Sequence, residues 1–220
     1  MSKSKKNTVD PEDIIAKYGA DTARWFMLSD SPPDRDMEWT DSGIEGAWKY
    51  VNRLWRLVTA PAMAAHSGTA WPAMGVDGES ANPRNFSTEA MKLRQMVHKT
   101  IAQVSENIDA FAFNRSVARI RELSNAIAAF DQEAAAKHLD ENVDGTEGVS
   151  NMLVLREALE ILIRLVNPMM PHITEELWQQ LGHPTMLADM DWPVADPELL
   201  VEDTVTLPVQ VNGKLRATLD

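Results

Sequence analysis

The 220-residue chain contains no cysteine, so neither disulfides nor thiolate metal sites can contribute to its stability or chemistry. No uninterrupted apolar run approaches membrane-spanning length, and the lysines after Met1 are not followed by the apolar segment of a secretory signal. A cytoplasmic protein that does not engage a membrane is expected. Internal repeats and low-complexity segments are missing as well. An excess of positive charge is also lacking: the formal net charge is -12, which at face value argues against a nucleic-acid partner.

The distribution of that charge changes the argument. Residues 1–40 carry a balance of -2, residues 41–130 one of +2, and residues 131–220 one of -12. The acid sits almost wholly in the last ninety residues, so the middle of the chain can still present a basic face. Hydrophobic residues at 44% and charged residues at 25% are ordinary for a globular protein, and the chain is long enough to bury a sizeable core.

Periodicity points to helices. Asp10 as N-cap, Pro11 at the first helical position and Gly19 as a stop predict a helix over 11–18. A second is expected over 21–29, before Ser31-Pro32-Pro33, and a long one from Thr40 or Asp41 to about Thr59, ahead of Pro61. Residues 67–86, with Gly68, Pro72, Gly75, Gly78 and Pro83, read as a loop. Leu93, Val97, Ile101, Val104 and Ile108 mark the next helix, starting near Ser87. Another, capped by Asn114, carries Val117, Ile120, Leu123, Ile127 and Phe130. After a separating acidic, Gly-containing stretch (140–148) comes a helix with Leu155, Leu159, Leu162, Ile163 and Val166, then a shorter one over 172–181 ending at Gly182. The expected fold is mainly α, a helical bundle. The tail changes period: 204–211 and 214–219 alternate as strands about Asn212-Gly213, a hairpin signal.

Three groups of residues carry possible chemistry. Lysines on the short Ser/Lys segment 1–6 suit phosphate binding, because their ammonium groups neutralise charge developing on phosphorus and a mobile loop can close over a nucleotide. On the helix after Asp41, Ile44, Trp48, Val51, Trp55 and Val58 form an apolar stripe expected to face the core. Lys49, Arg53 and Arg56 follow the same spacing, displaced by roughly 140° around the axis. With Lys92, Lys99, Arg115 and Arg119 on neighbouring helices, they form either a solvated surface or a patch that tracks a phosphate backbone. His172 and Glu176, at i and i+4, have the spacing of two metal ligands, but no third ligand accompanies them and no metal site is expected. Trp25, Trp39, Trp48, Trp55 and Trp178 read as core residues.

An ordered set of short motifs covers nearly the whole chain. They are Met1-Ser2-Lys3-Ser4, Asp10-Pro11, Tyr18-Gly19-Ala20-Asp21, Gly43-Ile44-Glu45-Gly46, Phe113-Asn114, Pro171-His172-Ile173-Thr174-Glu175-Glu176-Leu177-Trp178 and Val209-Gln210-Val211-Asn212-Gly213-Lys214. In this order they resemble class I aminoacyl-tRNA synthetases, and within them the bacterial leucyl family. The opening segment is similar to the KMSKS signature loop without its first lysine. The resemblance implies that Met1, Ser2, Lys3 and Ser4 belong to the ATP loop, with Lys3 as its catalytic lysine. It also implies a stem-contact region over 1–40, an anticodon-binding helical bundle over 41–190, and a linker with the first hairpin of a C-terminal domain over 191–220.

The partner it implies is tRNA(Leu), bound by Lys49, Arg53, Arg56, Lys92, Lys99, Arg115 and Arg119. ATP, Mg2+ and leucine would be used by a full-length, monomeric enzyme. None of His66, His98, His138, His172 or His183 lies in the family's HIGH motif, so the chain is expected to be inactive alone and to bind no cofactor. A valyl or isoleucyl relative, and a helical protein-interaction module, are the competing readings.

Overall fold

The computed structural model describes residues 9–37, 39–60, 86–138, 145–201, 207–211 and 214–219. The opening signature-like segment, most of the Gly/Pro-containing loop and the Asn212-Gly213 turn lie outside them. Helix α1 (Pro11–Tyr18) begins where Asp10 Oδ1 accepts the Glu12 N–H at 3.0 Å, and ends at Gly19, whose φ of 85° favours glycine. Helix α2 (Ala20–Asp30) follows at once. Helix α3 (Asp41–Thr59) starts at Thr40, whose Oγ1 accepts the Gly43 N–H at 3.2 Å. A Cβ on Gly43 would stand 2.4 Å from Phe26 Cε2, so glycine there permits the close approach of α2 and α3.

Ser87 caps α4 (Thr88–Asp109) by accepting the Ala90 N–H at 3.1 Å. Helix α5 (Phe113–His138) follows a tight turn in which Phe111 has a φ of 55°. Helices α6 (Gly145–Val166) and α7 (Pro171–Gln180) come next, and Gly182, φ 89°, lies just beyond the end of α7. A 3-10 turn (Leu187–Asp189) leads to the short α8 (Pro197–Leu200). Strands β1 (Leu207–Val211) and β2 (Lys214–Leu219) pair antiparallel, Leu207 opposite Leu219 and Val211 opposite Lys214.

The architecture is a mainly α bundle. Helices α4, α5 and α6 pack on one another, α2 packs on α3, α5 and α7, and α3 reaches α7. Val97 and Ile101 of α4, Ile120, Leu123 and Ile127 of α5, and Leu155, Leu159, Leu162 and Ile163 of α6 are fully buried at the spacing expected of an amphipathic helix. The same apolar core takes in Trp25 and Phe26 of α2 and Trp178 of α7. Among the described residues no helix is long and apolar enough to cross a membrane.

Several expectations need correction. Helix α6 begins at Gly145, inside the stretch expected to be a spacer, and Asn114 lies within α5 instead of capping it. The larger correction concerns α3. Its buried residues are Ile44, Ala47, Tyr50, Leu54, Leu57 and Val58, while Trp48 is 45% and Trp55 37% exposed. The expected stripe shares only Ile44 and Val58 with the buried arc, and Val51 is half-buried. Tyr50, Leu54 and Leu57 turn α3 by roughly 80° from the orientation that the two tryptophans would impose. The reason is tertiary: Tyr50 stacks on Trp25 with ring centroids 4.7 Å apart and planes 5° from parallel, which fixes the face that α3 gives to α2. Trp25 and Trp178 are core residues as expected, and Trp39 is half-buried, edge-on to Phe26 at 5.1 Å.

The corrected phase has a measurable consequence. Leu54, 1% exposed, should cost about 2 to 5 kcal/mol on replacement by Ala, whereas Trp55→Ala, at a position 37% exposed, should cost less. Urea unfolding of the two variants checks the order.

Candidate nucleic-acid interface

The scaffold of the site is the corner where α6 turns into α7. Asp21 and Arg24, one helical turn apart on α2, hold its two sides. Arg24 donates from Nε to the Met169 carbonyl at 3.0 Å and from Nη2 to the Pro168 carbonyl at 2.8 Å. Asp21 Oδ2 accepts the Ile173 N–H at 2.7 Å, and its Oδ1 lies 2.8 Å from His172 Nδ1. A cation therefore meets carbonyls just past the end of α6, and a carboxylate only 8% exposed meets the first turn of α7, which has no side-chain cap of its own. His172 itself is 75% exposed.

The remaining polar residues of the Pro171–Trp178 motif are likewise structural. Glu175 accepts the Leu187 and Ala188 N–H groups, each at 2.8 Å, and thereby begins the 3-10 turn. Glu176 accepts from Gln180 Nε2 at 3.1 Å. Trp178 stacks on His183, 3.5 Å between centroids. Among the described residues no group of three or more His, Asp or Glu is placed to hold a metal ion.

A second polar cluster pins α4, α6 and the segment before α8. Arg94 donates to both oxygens of Glu157, at 2.7 and 3.2 Å. His98 Nδ1 accepts the Asp196 N–H at 2.9 Å, and its Nε2 lies 3.4 Å from Glu157 Oε1. Burial opposes ionisation of Glu157 most strongly, but hydrogen bonds from His98 and Arg94, and their charge, outweigh it and hold the carboxyl below its ordinary value of 4.5. Within the core, burial pushes the Tyr50 phenol up to about 12 against the opposing charge of Arg121.

Lys49, Arg53 and Arg56 are all exposed, on the side of α3 away from its buried arc. Lys92 is exposed and Lys99 half-buried on α4. Arg115 and Arg119 are exposed on α5, where they line a groove with Glu106 and Glu122, and Arg119 Nη1 is 2.7 Å from Glu122 Oε2. The structure thus brings together two subsets, α3's own row and the α4–α5 groove. The groove's carboxylates offset its arginines, while Asp41 and Glu45 stand near the start of the α3 row with Lys17 close by. Arg121 was not singled out by spacing. Its guanidinium lies 5.0 Å from the Tyr50 ring centre, and the charges of Arg53 and Arg121 both act on the Tyr50 phenol, so the two approach from α3 and α5. Nothing in its own helix pattern marked it, because its partners lie on α2 and α3. Residues 1–4 lie outside the described residues.

A helical bundle that leaves a cationic helix face to solvent is a class of domain with many members, and sequence similarity identifies which. Residues 91–220 match the anticodon-binding domain of tRNA ligase, and residues 1–40 match tRNA synthetases class I (I, L, M and V). The chain belongs to the family of anticodon-binding domains of tRNA ligases. It is 52% identical over its whole length to the leucine–tRNA ligase of Rhodospirillum centenum and 53% identical to that of Paramagnetospirillum magneticum. It spans only 24% and 22% of those relatives. The whole chain also superposes, with a TM-score of 0.70 and 28% identity, on 25% of the synthetase in a LeuRS–tRNA–LeuAMS complex from Agrobacterium radiobacter. A methionyl-tRNA synthetase of Mycobacterium tuberculosis shares the fold over 77% of this chain and 34% of its own, with a TM-score of 0.62.

Two outcomes follow from the polar geometry. Asp21→Ala should destabilise by about 2 kcal/mol, and Arg24→Ala by less because that side chain is exposed, as thermal unfolding would show. Glu157, with its folded pKa depressed, contributes stability above pH 4.5 that is lost as pH falls through the folded value. Melting temperature should therefore fall on acidification below that point, and the fall should be shallower in Glu157→Gln.

Proposed function

We propose that this chain is the tRNA-bracing part of a leucine–tRNA ligase, and that the Lys49–Arg53–Arg56 row of α3 contacts the phosphate backbone of tRNA(Leu). The observation that carries the reading is the row itself: three exposed cations within about two turns of a rigid helix whose opposite arc is locked into the core. Similarity to leucine–tRNA ligases along the whole chain supports the enzyme class, and the tRNA in the Agrobacterium complex supports the partner. The proposed division of labour assigns stem contact to residues 1–40, tRNA support to 41–190 and a linker with a hairpin to 191–220.

Lys92, Lys99, Arg115 and Arg119 form a secondary surface in this proposal. Met1, Ser2, Lys3 and Ser4 serve the nucleotide, with Lys3 balancing charge on the reacting phosphate. ATP and Mg2+ would act with the catalytic part of the enzyme. The 220 residues hold no paired-histidine motif for that step, so leucine activation needs the rest of the ligase. We place the enzyme in the cytoplasm as a monomer.

Reversing all three charges, Lys49→Glu, Arg53→Glu and Arg56→Glu, tests the central claim. Removing each phosphate contact should flatten the slope of log affinity against log salt by about 0.7 to 0.9. Binding of tRNA should weaken, by similar factors for cognate and non-cognate tRNAs, while the melting temperature stays nearly unchanged. A variant that binds as tightly as the parent, with the same slope, returns the row to a solvated helix face.

A further inference from the structure

The Trp25–Tyr50 stack has a cation against it that does not belong to the α3 row. Arg121, half-buried on α5, holds its guanidinium 5.0 Å from the Tyr50 ring centre and 5.9 Å from that of Trp25. Contact with a ring face satisfies none of the N–H groups of a guanidinium, so each still needs an acceptor or water. Arg121 Nε is withdrawn from solvent and meets no acceptor among the described residues, and no carboxylate there pairs with the guanidinium. Glu122, its neighbour in sequence, is taken by Arg119 at 2.7 Å. Tyr50 cannot supply the missing negative charge either, because burial keeps its phenol protonated, with a pKa pushed up to about 12.

A second cation comes from α3. Arg53 is exposed, has no ion pair among the described residues, and its charge reaches the same phenol. Around the helix axis Arg53 stands roughly 60° from Tyr50, against roughly 100° for Lys49 and 120° for Arg56. It is the member of the row that leans toward Arg121. We propose that Arg121 and Arg53 grip one backbone phosphate of RNA between them, so that the contact bridges α5 and α3 and fixes the register of the strand on the bundle. The inference rests on the tRNA-binding reading above and deepens it, by adding a cation from α5 and by assigning two cations to a single phosphate. A phosphodiester offers two charged oxygens, one for each guanidinium. Packing against the rings holds Arg121 in place before the ligand arrives, so little rotamer freedom is lost on binding. Arg121 therefore sets where the phosphate sits, and Arg53 closes on it from solvent. Lys49 and Arg56 alongside favour a polyanion over the lone carboxylate of a protein partner.

The test titrates the 220-residue chain with tRNA at two salt concentrations and completes a double-mutant cycle. Arg121→Met keeps an unbranched stem against Tyr50 and removes the charge. Its affinity for tRNA should fall by at least about fivefold at the lower salt, and the slope of log affinity against log salt should flatten. Because both arginines serve one phosphate, Arg53→Met/Arg121→Met should bind at least about threefold more tightly than the product of the single losses predicts. Arg53→Met/Arg56→Met, whose members take separate phosphates, should follow the product. A readout that holds even if Arg121→Met melts early is the Arg121 Nε–H resonance of the parent, assigned by its disappearance in Arg121→Lys. It should move on addition of tRNA and stay in place with inorganic phosphate at the same phosphate concentration, since a free ion lacks the neighbouring phosphates that Lys49 and Arg56 hold. Unchanged affinity in Arg121→Met, losses at Arg53 and Arg121 that simply multiply, or an Nε–H resonance that ignores tRNA or follows inorganic phosphate as far would overturn the proposal. If charge reversal of the α3 row weakens tRNA binding while Arg121→Met does not, only this inference falls. If the parent binds no tRNA, the tRNA-binding reading falls with it.

Discussion

The α6–α7 corner is the constraint on which the rest of the structure depends. A helix that ends and another that begins within a few residues expose carbonyls and amide hydrogens that cannot pair within either helix. Here both sides are served from α2, by Arg24 toward Pro168 and Met169 and by Asp21 toward Ile173. The contact spans about 150 residues of sequence, so it closes the fold between its first and last thirds. Because α2 is held there, its other face meets α3 through the Trp25–Tyr50 stack and the Gly43 approach to Phe26. That contact in turn decides which side of α3 is left to solvent.

The polar side chains inside the bundle, such as half-buried Glu157 with Arg94 and His98, are matched to one another and fix geometry. The exposed side of α3 carries the three cations of the proposed tRNA contact.

The sequence alone determined the order of α1 to α7 and of the hairpin strands, the ends of α1 and α3, the helical periodicity of α4, α5 and α6, and the membership of a tRNA ligase family, while the 3-10 turn and α8 went unmarked. Each of these depends on local chemistry: Asp10 with Pro11 and Gly19, Thr40 as a cap, and apolar residues three and four apart. The start of α6 was less legible, since an acidic, Gly-containing stretch carries opposed signals. Only the tertiary structure decided the orientation of α3. Its sequence offers two overlapping apolar arcs, one through Trp48 and Trp55 and one through Tyr50, Leu54 and Leu57, and propensity cannot rank them. The choice was made by the Trp25 ring, which packs flat on Tyr50 from another helix. The structural roles of Asp21 and Arg24 were hidden for the same reason. A side chain that completes a distant helix leaves no periodic mark in its own segment, because its partner is set by the path of the whole chain.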